Sequence, residues 1–522
     1  LQPGLVEAVV NLGTALHEQG RYADAVAAFD EALRLRPNLS LAAFNRGSAL
    51  EHLDRLSEAE QSYRLALQLR ADWSQGLNNL GVVLKAQGRL DEALATFDRA
   101  LTINPNYMVA HTNRLACLLC CFEASAAEIL DAHREWDARH AVVFQHKKQV
   151  EHPRQRATNR ARWRVGFVSP DFRNHPVGRF LIGIFENLPR DQIETFCYSD
   201  RKQLDAVTAR FRAAADHWCD ARLLTDDQLT EQIKGDELDV LIDLAGHTGQ
   251  HRLLVFARKP ARVQATWIGY PGTTGLRAID WIIADGVLIP AGYDRFYSER
   301  VIRLPRSSIC FEPPPFARDL RPTPSPGEVT GCVTFGSFNK LDKTTPDVLR
   351  AWSTILQRVP SSRLVLRQKG LDDVVVRNRF LSILMAEGLA SERIELHGWC
   401  SHEELLTAYA AVDIGLDTFP FSGGATSADA LWCGVPIVTL MSETFASRQT
   451  ASMLLNAGLS ETVTTSVEEY IARAVQLASR PQALGFLRAQ IFQAIRSGPL
   501  SRPIEVAKDF AEAMAMLCQA GD

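Results

Sequence analysis

The sequence predicts an α-helical repeat superhelix followed by two Rossmann-like α/β domains, and three observations carry that expectation. Gly13, Gly47 and Gly81 recur at a 34-residue interval, and small and aromatic residues recur with them. From Arg164 the pattern changes to short apolar runs alternating with helical stretches. After a proline-rich passage, EPPPFARDLRPTPSPGE, a second series of the same kind begins.

The interval also relates Ala25, Ala59 and Ala93, then Phe29, Tyr63 and Phe97, then Ala32, Ala66 and Ala100. Pro37 and Pro105 close the first and third units. A small residue lets two helices approach, an aromatic ring fills the gap, and proline stops the second helix. The pattern is that of a tetratricopeptide array, three full units with a partial fourth from about Tyr107. Such arrays form a concave groove that suits extended peptide. Asn11, Asn45, Asn79 and Asn113 share one repeat position, where side-chain amides could hold a peptide backbone. Asparagine simply suiting the exposed side of the first helix is the other reading. Residues 121–140 look helical and are expected to continue the stack.

A chain of 522 residues exceeds one core, at roughly 150 residues per domain. The expected division is repeats and connecting helices over 1–145, a first αβ half over 146–320, and a second over 321–522. A net charge of −4 argues against a general nucleic-acid binder. No apolar run approaches the length of a membrane span, and no signal-peptide pattern opens the chain. The ten cysteines lack metal-ligand spacing. Cys117, Cys120 and Cys121 read as apolar thiols on a helix, and a reducing cytoplasm is the expected location. The basic run from Lys147 to Arg164 reads as a solvated linker rather than a nucleic-acid or membrane surface.

Beyond the linker, RVGFVS, ETFCYS, LDVLIDLAG, VQATWIG, WIIADGVLI and VIRLP form the first strand series. CVTFGSFN, RLVLRQK, RIELHGW, DIGLDTFP and PIVTL form the second. Continuous apolar strands between helices indicate parallel sheets covered on both faces. Two such sheets imply a cleft lined by loops at the carboxyl ends of the strands. The residues from about Val467 read as helices packing back across both.

That rule selects the candidate functional residues. Asp171, Asn174, His175 and Arg179 follow the first strand, and His175 suits a base or a donor to phosphate or sugar, or else a turn cap. His247 follows LDVLIDLAG. Tyr270, Pro271 and Gly272 form a turn that exposes amides. Lys340 and Lys343 follow VTFGSFN, where either could neutralise a diphosphate. In FSGGATSADALWCGVP, Gly423 and Gly424 lead into a helix from Ala425, whose free amides and positive dipole end suit a diphosphate. Thr426 and Ser427 would add hydroxyls, and Asp429, one turn deeper, suits a ribose hydroxyl.

The motifs SPDFRNHP, QATWIGYPGTTG, FGSFNKLDKTTP, LDTFPFSGGATSADALWCGVPIVTL and SETFASRQTASMLL, behind tetratricopeptide repeats, resemble the O-linked N-acetylglucosamine transferase and SPINDLY family. The resemblance covers nearly the whole chain in order. It implies the GT-B fold and a metal-independent, inverting transfer of N-acetylglucosamine from UDP-GlcNAc to Ser or Thr of intracellular proteins. No resident cofactor is expected. It places His175 at the active centre and makes Lys343 an essential diphosphate ligand. Asn339, Lys340 and Gly423 to Ser427 would serve the diphosphate, and Asp429 the ribose. Cys400, Ser401 and His402 would contact the base. His247, Gly269, Tyr270 and Pro271 would lie on the sugar and acceptor side.

This chain has Gly424-Ala425-Thr426 where animal transferases carry His-Thr-Thr. It has His402-Glu403-Glu404-Leu405 where they carry Lys-Glu-Glu-His, and Lys340 where they carry Gln. These departures bear on the donor. A protein O-fucosyltransferase using GDP-fucose, as in the SPINDLY branch, is the alternative, and an inactive repeat scaffold is the third reading. Expected partners are the nucleotide sugar and acceptor proteins, with no nucleic acid and no membrane.

Overall fold

The computed structural model describes residues 3–145, 161–201, 204–321 and 323–520. Most of the basic run from Lys147 lies outside them. The chain divides into two compact units. One gathers Leu1–Phe122, Pro326–Phe419 and Ala474–Ser479, and the other gathers Glu123–Ser325, Pro420–Arg473 and Arg480–Asp522.

In the first unit the repeats are helix pairs: α1 (Pro3–Glu18) with α2 (Tyr22–Leu35), α3 (Ser40–His52) with α4 (Leu56–Leu69), and α5 (Ser74–Ala86) with α6 (Leu90–Ile103). The half-repeat is α7 (Met108–Leu118). A Cβ on Gly13 would stand 2.7 Å from the Phe29 ring, one on Gly47 2.8 Å from Tyr63, and one on Gly81 2.6 Å from Phe97. Each glycine therefore lets its helix rest directly on the aromatic of the next. A second periodicity, which the sequence reading passed over, fixes the start of each second helix. Arg21, Arg55 and Arg89 pair with Asp24, Glu58 and Glu92 at 2.8, 2.7 and 2.6 Å. These acids occupy the first helical turn, where the dipole favours them. Cys117 and Cys120 are buried, as expected of apolar thiols.

The same unit holds four parallel strands, β8 (Val333–Ser337), β9 (Ser362–Arg367), β10 (Ile394–His397) and β11 (Ile414–Leu416), ordered β10-β9-β8-β11. Chain order reverses between β8 and β11, which makes their carboxyl ends the switch point where ligands bind in open αβ sheets.

The second unit is built on seven parallel strands in the order β3-β2-β1-β4-β5-β6-β7. They are β1 (Trp163–Ser169), β2 (Ile193–Ser199), β3 (His217–Asp220), β4 (Val240–Asp243), β5 (Val263–Trp267), β6 (Trp281–Asp285) and β7 (Arg300–Leu304). Every residue of β4 and β5 is buried, as apolar runs in a sheet covered on both faces require. The final helix, Pro503–Ala520, supplies one cover: Phe510 stacks on Trp267 with centroids 4.6 Å apart and lies 6.1 Å from Phe167. Two further strands, β12 (Ile437–Leu440) and β13 (Val463–Thr464), pair in parallel. Among the described residues, no helix is long and apolar enough to cross a membrane.

Residues 121–140 depart from the expected stack. Helix α8 (Ala126–Trp136) starts at a Ser125 capping box and belongs to the second unit. Its buried His133 accounts for this. Nδ1 donates to the Ile129 carbonyl at 2.6 Å, so Nε2 must accept, and the Tyr270 hydroxyl donates to it at 2.7 Å.

Candidate active site

In the second unit the switch point falls between β1 and β4. The chain leaves β1 through a tight turn in which a Cβ on Gly178 would lie 2.0 Å from the Arg173 carbonyl oxygen. His175 is the N-cap of the helix Pro176–Glu186. Its Nδ1 lies 3.4 Å from both the Val177 amide and Asp171 Oδ2. Unprotonated, Nδ1 accepts the amide and caps the helix; protonated, it donates to Asp171, leaving Nε2 the basic nitrogen. The capping and functional readings of His175 are therefore compatible. Burial pushes the Asp171 carboxyl above its ordinary value, against the pull of Arg173.

One turn along the same helix, Arg179 Nη1 donates to Asp429 Oδ1 at 3.1 Å. Side-chain exposures of 11% and 3% make this a buried pair. It ties the loop carrying His175 to the helix Ala425–Trp432, although the two are 250 residues apart. That helix is also anchored by the Trp432 indole, which donates to the Ala317 carbonyl at 2.8 Å.

The Gly-rich junction itself is held rigidly. Thr450 Oγ1 donates to the Gly423 carbonyl at 3.1 Å, Thr450 and Ser427 share a 2.8 Å hydrogen bond, and Ser422 Oγ donates to the Ala446 carbonyl at 2.8 Å. Gly424 is the N-cap and offers no side-chain cap; Ala428 is the first amide to bond back, to the Gly424 carbonyl at 3.0 Å. The amides of Ala425, Thr426 and Ser427 therefore precede the intrahelical ladder, the arrangement that binds anions. A Cβ on Gly424 would meet only Gln449 Oε1, at 3.5 Å, so the fold itself does not demand glycine there.

The residues expected on the sugar and acceptor side are mostly internal. A Cβ on Gly269 would sit 1.9 Å from the Leu244 carbonyl oxygen, and one on Gly246 would lie 2.2 Å from Tyr270 Cβ. The loops after β4 and β5 thus interlock. Tyr270 is buried and its hydroxyl is engaged by His133; His247 is buried and donates from Nε2 to the Thr274 carbonyl at 2.7 Å. Ile268, immediately before Gly269, has φ +63°, a strained value for a β-branched residue and one that clusters at functional sites. Beside this region, at the ends of β2 and β4, lies a cavity of about 580 Å³ that includes Arg201, Arg222 and Arg252. Arg252 is paired with Asp200 and Asp226 at 2.9 and 2.8 Å.

In the first unit, Asn339 follows β8 and Asp417 follows β11, joined at the switch point by an Asn339 Nδ2 to Asp417 Oδ1 bond of 3.2 Å. Lys343 closes the 3-10 turn Leu341–Lys343. Burial pushes its ammonium down to about 8, opposed by the charge of Asp342 and reinforced by Lys340. Ser401 and Glu404 form a capping box on the helix His402–Ala408, so the Ser401 hydroxyl already has a local task. Beside Cys400 stands a residue the sequence reading missed. Trp399 is 65% exposed at the carboxyl end of β10, with its amide held by Asp372 at 2.8 Å. A large aromatic in a strand-end loop was the available signal.

The asparagine ladder is partly committed within the array. Asn45 donates to Thr14 at 3.4 Å, Asn79 to the Tyr63 hydroxyl at 3.3 Å, and Asn113 to Asn78 at 2.9 Å. Among the described residues, no group of three or more His, Cys, Asp or Glu side chains is placed to hold a metal ion.

Comparison with known proteins accords with this geometry. The profile of glycosyl transferase family 41 matches residues 128–311 and 327–510, and tetratricopeptide profiles match 10–76 and 74–107. The chain belongs to glycosyl transferase family 41. It is 36% identical over 406 residues to a probable UDP-N-acetylglucosamine–peptide N-acetylglucosaminyltransferase SPINDLY of Petunia hybrida, covering 77% of this chain and 43% of that protein. A probable N-acetylglucosaminyltransferase SEC of Arabidopsis thaliana is 32% identical over 339 residues, covering 63% of this chain and 34% of that one. The chain thus spans less than half the length of these curated relatives. Among solved structures, a mutant of the Thermobaculum terrenum O-GlcNAc transferase superposes with a TM-score of 0.89 at 34% identity, over 99% of this chain and 98% of that one. The two-sheet architecture behind the repeats is that of the O-GlcNAc transferase fold, consistent with GT-B.

Proposed function

We propose that this family 41 chain transfers N-acetylglucosamine from UDP-GlcNAc to Ser or Thr hydroxyls of proteins, without a metal ion and with inversion at the anomeric carbon. The observation that carries the reading is the glycine-capped start of the helix Ala425–Trp432, where three successive amides precede the helical ladder.

The acceptor oxygen attacks the anomeric carbon, the bond from that carbon to the β-phosphate oxygen breaks, and UDP departs with growing negative charge. In the second unit the amides of Ala425 to Ser427 meet that charge in place of a cation, and in the first unit Lys343 is the diphosphate ligand that the family resemblance implies. Preorganised donors of this kind are each worth roughly 10²–10³ in rate. The hydroxyl proton passes to a base, for which His175, with Asp171 behind Nδ1, has the appropriate chemistry. Asp429 serves the ribose, releasing Arg179 as it does so. Trp399 offers the base a flat apolar face. Acceptor proteins reach the reaction through the repeat array.

The test is calorimetric titration with UDP and GDP, followed by transfer assays with UDP-GlcNAc and GDP-fucose on a Ser-containing peptide in the presence of EDTA. UDP preference, and a mass increase from UDP-GlcNAc alone, supports the reading. GDP preference with fucose transfer replaces it by the alternative donor. Neither nucleotide binding leaves a repeat scaffold.

A further inference from the structure

The turn that carries Lys343 is held by the repeat array. Lys85, in the last turn of α5, donates from Nζ to Asp342 Oδ2 at 2.7 Å, across 257 residues of sequence. The helix C-terminus adds its own preference for a cation there. Three residues on, Gly88 has φ +73°, and a Cβ on it would stand 2.8 Å from the Leu341 carbonyl oxygen, so the repeat turn lies directly on the 3-10 turn. A Cβ on Gly370 would meet the Leu341 side chain at 2.7 Å and Leu56 of the array at 3.3 Å. The turn is gripped at Leu341 and Asp342, and the Lys85–Asp342 pair is a charged contact it makes with the array.

Asp342 is immediately before Lys343 in the chain. Its second oxygen, Oδ1, is sequestered from solvent and makes no hydrogen bond among the described residues. A carboxylate so placed will seek another cation if the first is taken away. Lys340 and Lys343 are the candidates, since both charges act on it; Cys120 and Asp417 also act on Lys343. Breaking a buried pair from one side leaves the other charge uncompensated, which is more damaging than deleting both.

We propose that Lys85, on the third repeat, is a positioning residue for Lys343: by occupying the Asp342 carboxylate it keeps the neighbouring ammonium available to a nucleoside diphosphate. This rests on Lys343 being a diphosphate ligand. The repeat array is then part of the donor site's machinery as well as a carrier of acceptors. The pair does not need to touch the nucleotide to act, and a displacement of about 1 Å at a binding group is enough to cost up to 10²-fold.

The experiment uses the whole chain and titrates UDP and GDP at pH 6.5 into wild type, Lys343→Met, Lys85→Met, Lys85→Arg, Asp342→Asn, and the double variant Lys85→Met with Asp342→Asn, each checked by thermal melting. The expected results, on whichever nucleotide wild type prefers, are a loss of about tenfold or more in Lys85→Met and near-wild-type affinity in Lys85→Arg. The double variant is expected to return to within about threefold of wild type, because the competing carboxylate is gone. A merely structural role for Lys85 would leave the double variant no better than the single one, and that result overturns the proposal. Unchanged binding in Lys85→Met overturns it as well. If Lys85→Met does not fold, the double variant and Asp342→Asn decide. Affinity near wild type in the double, with an earlier alkaline loss of binding in Asp342→Asn, supports the proposal, and any other pair of results overturns it. Lys343→Met separates the two levels. Wild-type affinity in that variant removes the diphosphate assignment itself, whereas its loss beside an unaffected Lys85→Met removes only the role of Lys85.

Discussion

Raising the pH from 7 to 9 should weaken nucleoside diphosphate binding through one lysine. The Lys343 ammonium sits at about 8, below its ordinary value, because burial disfavours the charge and Asp342 only partly offsets that. With a pKa of about 8, roughly nine-tenths of the molecules carry the charge at pH 7 and about one-tenth at pH 9. If only the charged form holds the diphosphate, affinity falls about tenfold over that interval, or about 1.4 kcal/mol. The attraction is complete below 8 and lost as pH rises through it. The effect on the unliganded fold has the opposite sign. The folded chain sheds this proton before the unfolded chain does, so Lys343 makes the fold more stable as pH climbs from about 8 towards 10.5. Calorimetric titration of UDP at half-unit steps, with melting curves of the free protein at the same pH values, reads both. Lys343→Met should bind weakly and without this alkaline fall. A wild-type profile parallel to that of Lys343→Met would refute the argument.

Three further outcomes are expected. Trp399→Ala should lose roughly 1–3 kcal/mol of UDP affinity if the indole stacks on the base, and UDP should quench tryptophan fluorescence in wild type but much less in the variant. Arg179→Met removes a cation from the buried Asp429 carboxylate, so calorimetric melting should show a loss of up to about 3–5 kcal/mol, partly recovered by adding Asp429→Asn. Gly81→Ala drives a methyl group into the Phe97 ring, where only 2.6 Å is available, and should cost roughly 1–3 kcal/mol; denaturant unfolding followed by circular dichroism checks this, with Phe97→Leu as the compensating change.

The parts of the molecule readable in the sequence are those whose causes are local or repeated. Gly47 and Tyr63 lie sixteen residues apart and the relation recurs, so the contact leaves a period. Buried parallel strands leave apolar runs, and the strand-end rule then pointed to the loops holding His175, Lys343 and the Gly-rich junction. The partners of those residues were not readable. Arg179 with Asp429, Lys85 with Asp342 and His133 with Tyr270 join positions 250, 257 and 137 residues apart. A single long-range pair has no periodicity, and neither member departs from what its own helix or loop would carry. Ile268 is a different case: its left-handed backbone is imposed by the interlocking loops around Gly269, and a β-branched residue gives no local sign of it. Tyr270 belongs to a turn expected beside the sugar, and no local pattern announces that the fold ties its hydroxyl to His133.

Helix α8 determines where this protein can be cut. It reads as the tail of the repeats, yet His133 closes on Tyr270, and the backbone of His133 leaves so little room that a Cβ on Gly275 would approach it to 2.4 Å. Family 41 similarity likewise begins at residue 128, inside this helix. A shortened chain starting at residue 146 would leave a Tyr270 hydroxyl and a fitted groove without their occupant, whereas one starting at Glu123 keeps the plug in place. Domain exchanges and recombination between relatives should therefore be punished just beyond Ser125, and a junction on its amino-terminal side must still bring a repeat array that supplies Lys85 and Gly88 to the Lys343 turn.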